Sequence, residues 1–123
     1  MKPFVVSACL AVLLGCGNPT GTGSTGLLVR AAPPVLDLTN QTAAPIYSFV
    51  IDRGAAAYTD WAPCTNPAAC SSIKAGATTS LTYAQIAGYS SASTEAIVYW
   101  WHLVPDGTNG FRPDSVRGVV TSL

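Results

Sequence analysis

Charge is what this sequence has least of. Lys, Arg, Asp and Glu make up 10% of its 123 residues, six basic and six acidic, so the formal net charge is zero. Globular domains average roughly 25% charged residues. This excludes a basic nucleic-acid-binding surface and a charge-driven disordered chain. Histidine and methionine occur once each, too few for a copper site built from His, Cys and Met. No uninterrupted apolar run reaches the ~20 residues of a membrane-spanning helix. There is no G-x-S-x-G nucleophile elbow. No Gly-rich loop closes a strand and opens a helix, so nucleotide binding has no support.

What is present begins with an address. Met1-Lys2 carries one positive charge, Phe4 to Leu14 is apolar, and Gly15-Cys16 supplies a small-residue cleavage site. These are the three regions of a secretory signal peptide. The quartet Leu13-Leu14-Gly15-Cys16 resembles the lipobox of bacterial lipoprotein precursors. The resemblance implies that residues 1–15 are a signal peptide and that Cys16 is diacylglycerylated and becomes the first residue. Cys9 leaves with the signal. The resemblance also implies a cell-envelope location, with the lipid on Cys16 as the contact with the membrane. Gly17, rather than Asp, follows the Cys, which favours the outer membrane. Each buried CH₂ contributes about 0.8 kcal/mol, and two acyl chains anchor stably where one does not. Loss of Lys2 leaves five basic against six acidic residues, a net charge of −1.

Residues 16–33 read as the lipidated Cys and a flexible linker. Gly17 to Ser24 (GNPTGTGS) offers no large side chain to a core. Leu27-Leu28-Val29 reads either as an apolar patch or as a first short strand, ended by Pro33-Pro34. Residues 34–123 form the folded domain. Short apolar runs rich in β-branched and aromatic residues, at 35–39, 46–51, 78–83, 95–104 and 116–123, are separated by Gly, Pro, Asn and Ser clusters. This pattern predicts an all-β fold, a small antiparallel Ig-like β-sandwich. The segment 58–61 is a weaker strand candidate. One helical turn is expected around 83–87. Period-2 alternation in 95–104 places Ile97, Tyr99, Trp101 and Leu103 on one face and Val98, Trp100 and His102 on the other. Both faces are apolar enough to be covered, so this strand is expected at the centre of a sheet.

After processing, Cys64 and Cys70 remain as a pair. In an oxidising compartment they read as a disulfide that staples a small domain. The spacing is not the C-x-x-C of thiol redox motifs, and two Cys with one His fall short of a structural zinc set. No metal or cofactor is expected. No catalytic residue is assigned, and the leading expectation is a non-catalytic, lipid-anchored binding or structural module with a protein or glycan partner. Its binding patch is expected at Trp100, Trp101 and His102, one of the tryptophans being exposed beside the 105–114 loop. Two alternatives stay open. One is a small envelope hydrolase using His102 with Asp106 or Asp114, which needs a carboxylate and a nucleophile within reach of the ring. The other is a surface-held inhibitor of a hydrolase that presents the Cys64–Cys70 loop.

Overall fold

The computed structural model describes residues 21–24 and 26–123. The expected signal peptide and Cys16 lie outside the described residues. The fold is all-β and antiparallel. One four-stranded sheet has the order β1 (Gly21–Ser24), β2 (Leu27–Ala32), β3 (Val35–Asn40) and β6 (Thr78–Thr82). The other has the order β10 (Arg117–Ser122), β7 (Glu95–Trp101), β4 (Ile46–Asp52) and β5 (Ser72–Ile73). A hairpin of β8 (Leu103–Pro105) and β9 (Phe111–Pro113) extends beyond β7. The only helical pieces among the described residues are α1 (Arg53–Ala56) and a 3₁₀ turn at Tyr83–Gln85.

Alternation builds the core. Leu27 and Val29 from β2 and Leu36 and Leu38 from β3 face Ile46 and Val50 from β4, Ala96, Val98 and Trp100 from β7, and Val119 from β10. One apolar cluster thus draws side chains from both sheets, as a sandwich requires. The central position expected for strand 95–104 is found: β7 pairs with β10 on one edge and β4 on the other. The strand is interrupted at His102, which lies between β7 and β8.

The domain starts earlier than residue 34. Leu27 and Val29 are fully buried, and β2 turns through Pro33 and Pro34 directly into β3, with Ala32 opposite Val35. The segment 21–24 pairs with β2 in turn. An edge strand needs only backbone hydrogen bonds on one side, so a Gly- and Thr-rich composition does not prevent pairing. Of the residues 16–33 expected as a linker, 21–24 and 27–32 therefore lie in strands, and 16–20 lie outside the described residues.

The second correction concerns the aromatic patch. Trp100 and Trp101 are 1% and 2% exposed, so neither forms an open patch. Alternation sends Trp100 into the core. It turns Trp101 to the outer face of the second sheet, beside Phe49 and Tyr99. The segment 57–71, where 58–61 forms no strand, crosses that outer face as a strap. Trp61 stacks on Phe49 at 4.7 Å, Tyr99 at 4.8 Å and Trp101 at 5.9 Å between ring centroids. Trp101 Nε1 donates to the Cys64 carbonyl at 3.1 Å. The Cys64–Cys70 disulfide closes the strap's outer loop.

Candidate functional site

Two places in the molecule gather polar chemistry. The first surrounds His102, which follows the last residue of β7. The β8–β9 register sets Leu103 opposite Pro113, and this brings Asp114, not Asp106, beside the histidine. His102 N–H donates to Asp114 Oδ1 at 3.0 Å, and Nδ1 lies 3.2 Å from Asp114 Oδ2. Burial of the Asp114 carboxyl works to raise its pKa. The N–H groups of His102 and Ser115, the His102 ring and Arg117 outweigh that and hold it down to about 2. At neutral pH it is therefore a carboxylate and can only accept, so the His102 proton belongs on Nδ1. Nε2 then faces Thr42 Oγ1 at 2.9 Å.

The order hydroxyl, imidazole, carboxylate is that of an activated nucleophile. The Thr42 hydroxyl has other partners as well. Its Oγ1 is also 2.6 Å from Asn40 Oδ1 and 2.9 Å from the Ala44 carbonyl, and one hydroxyl proton serves one acceptor at a time. Asn40 is fully buried. Its amide donates to the carbonyls of Ala44 at 2.8 Å and Ile73 at 2.9 Å, while Oδ1 accepts the Thr42 N–H at 2.8 Å. Arg117 closes the other side, with its guanidinium 4.6 Å above the Trp100 ring and 3.4 Å from Asp114. The whole arrangement ties the 40–45 loop to β5, to the end of β7 and to the segment after β9. It pins the loops at one end of the core and leaves Thr42 in a pack of hydrogen bonds.

The second place is a groove of about 550 Å³ between the Cys64–Cys70 loop and the tip of the β8–β9 hairpin. Thr65, Asn66, Pro67 and Ala68 form one wall, and Asp106, Asn109, Gly110 and Phe111 the other. Both walls are held from within. On the first, the Asn66 carbonyl accepts from Ala69 and Cys70 N–H, each at 2.9 Å, and Asn66 Oδ1 accepts from Ala68 N–H at 3.0 Å. On the second, Asp106 Oδ1 accepts from Thr108 N–H at 2.8 Å, Thr108 hydroxyl at 2.7 Å and Gly110 N–H at 3.2 Å. These bonds, led by the Thr108 hydroxyl, lower the pKa of Asp106. Phe111 is 41% exposed.

Two smaller concavities are also found among the described residues. One, of about 330 Å³, is flanked by the exposed Arg53–Glu95 ion pair at 2.9 Å. The other, of about 270 Å³, lies beside β4 and β6 and is lined mainly by Leu, Val, Phe, Ser and Thr side chains. None of the three concavities is lined by Thr42, His102 or Asp114. Among the described residues no three His, Cys, Asp or Glu side chains gather as a metal site, and no helix is long and apolar enough to cross a membrane.

Of the residues singled out in the sequence, Cys64 and Cys70 meet, and His102 meets Asp114. Asp106 instead braces the hairpin tip. Trp100 and Trp101 are separated by the sheet between them. The residues that sequence reasoning passed over are Asn40 and Thr42. Asn40 continues the inward alternation of Leu36 and Leu38, and a polar residue on a buried face signals a hydrogen-bond hub. Comparison of the chain with protein-family models, with curated proteins and with solved structures finds no match.

Proposed function

We propose that the protein is a non-catalytic binding module of the cell envelope, tethered through lipid on Cys16. Its ligand site is the groove between the disulfide loop and the β8–β9 tip. The observation that carries this reading is the pairing of two internally braced loops around an open groove. Preorganised walls lose little conformational entropy on binding. The lipobox resemblance at Leu13 to Cys16 supports the tether. The strand β1 begins at Gly21, so a tether through Cys16 would hold the domain near the lipid headgroups.

Intact-mass spectrometry of the protein purified from its native membrane tests the tether. A mass that starts at Cys16 and carries acyl chains is expected. An unlipidated mass overturns it.

A hydrolytic reading is favoured by one observation, the Thr42–His102–Asp114 alignment. It predicts that a fluorophosphonate probe modifies Thr42 and that His102→Ala abolishes the modification. The binding reading expects no adduct at Thr42, because Asn40 Oδ1 and the Ala44 carbonyl compete with His102 for its one hydroxyl proton.

A further inference from the structure

We infer that the groove between the Cys64–Cys70 loop and the β8–β9 tip takes a neutral saccharide. The inference rests on the groove being the ligand site and adds the class of ligand. A volume of about 550 Å³ lies within the roughly 300–1,000 Å³ of small-ligand sites. The lining holds no Lys, Arg or His, so a phosphate or sulfate would meet no counter-charge and would face Asp106. The lining holds one large apolar side chain, Phe111, beside Pro67 and Ala68. Its other side chains are amides, a hydroxyl and a carboxylate. A ligand that fits both needs an apolar C–H face and an edge of hydroxyls, which is the surface of a sugar ring.

The polar atoms are oriented for that edge. Three donors occupy Asp106 Oδ1, and this fixes the carboxylate with Oδ2 free of partners among the described residues. Gly110 keeps that oxygen uncovered, since a Cβ there would come within 2.9 Å of it. On the opposite wall, Asn66 spends its oxygen on Ala68 N–H, which leaves its NH₂ group as a donor. Both residues line the groove, and a pair of neighbouring hydroxyls can answer one acceptor and one donor. Phe111 provides the flat apolar face against which the ring lies.

Ligand-observed saturation-transfer NMR on the full lipidated protein tests this. The probes are neutral oligosaccharides of α- and β-linked glucose, N-acetylglucosamine, mannose and galactose. At least one should give transfer to its ring C–H protons at millimolar concentration. Phe111→Ala should weaken that signal at least tenfold while near-ultraviolet circular dichroism stays unchanged, and Phe111→Trp should keep it. Gly110→Ala should weaken it by covering Asp106 Oδ2. Silence across the whole panel overturns the inference, and so does a signal that survives Phe111→Ala in a folded protein. A photo-crosslinker placed at Asn109 separates the two readings. A protein captured there, with the saccharides silent, leaves the groove a binding site and overturns the sugar.

Discussion

Asn40→Ala should destabilise the domain by about 3–4 kcal/mol. The side chain is fully buried and uses all of its capacity, with two donors to Ala44 and Ile73 and two acceptances from Thr42. Truncation strands the buried Ile73 carbonyl and the partly buried Thr42 N–H, and each unsatisfied group costs about 1–3 kcal/mol. Urea unfolding followed by tryptophan fluorescence measures the loss. With a slope of about 1–3 kcal/mol per molar, the midpoint should fall by roughly 2 M. Asn40→Asp keeps the shape but sets an oxygen where the amide donated, 2.8 and 2.9 Å from two carbonyl oxygens. An unpaired buried charge costs about 3–5 kcal/mol, so this variant should be at least as damaging at neutral pH. Its folded-state pKa would be raised, so the penalty should shrink as pH falls through that value and the carboxyl protonates. A loss below about 1 kcal/mol for Asn40→Ala, or a pH-independent Asn40→Asp, would refute the account of Asn40 as the hub of this end of the fold.

Three other outcomes follow from the same structure. Asp114 has its folded pKa held down to about 2, so its contribution, up to about 2 kcal/mol, is present above pH ~4 and fades as pH falls toward ~2. Acid unfolding of Asp114→Asn against the natural chain should show a stability gap that closes over that window. Replacing Cys64 and Cys70 together by Ser opens a seven-residue loop and should cost ~2 kcal/mol, with a change in Trp61 emission as the strap loosens; unchanged emission would count against the strap. Tyr83 is buried with its hydroxyl unpaired among the described residues, and burial, with Tyr89 adding, pushes its pKa up. Tyr83→Phe should therefore be neutral or stabilising by up to ~1 kcal/mol in a thermal melt, and a marked loss would reveal a partner for that hydroxyl.

The strands were legible where side chains alternate against a core. β7 is the clearest case, since Ala96, Val98 and Trp100 point one way and Ile97, Tyr99 and Trp101 the other, and both sides are covered. What covers the outer side was not legible. The strap has no periodicity of its own, and only contact with Phe49, Tyr99 and Trp101 gives Trp61 its place. β1 was hidden for a related reason, because an edge strand held by backbone bonds leaves no apolar pattern. The choice between Asp106 and Asp114 as the partner of His102 turned on hairpin register. Asp114 falls next to the Leu103–Pro113 pair, and Asp106 falls at the turn. The sequence named the stapled loop and the 105–114 loop as separate candidates. Their meeting across one groove is a product of the fold, since residues 65–68 and 106–111 are brought together only by the sheet beneath them.

The strap has two sides with different obligations. Its inner side, Trp61 and the Cys64 carbonyl, belongs to the packing of the second sheet. Its outer side, Thr65 to Ala68, is exposed and lines the groove. The disulfide separates these duties, because it closes the loop above the anchor points. The seven residues from Cys64 to Cys70 therefore form an exchangeable cassette. A different sequence grafted between the two cysteines would change one wall of the groove and leave the sandwich beneath it intact.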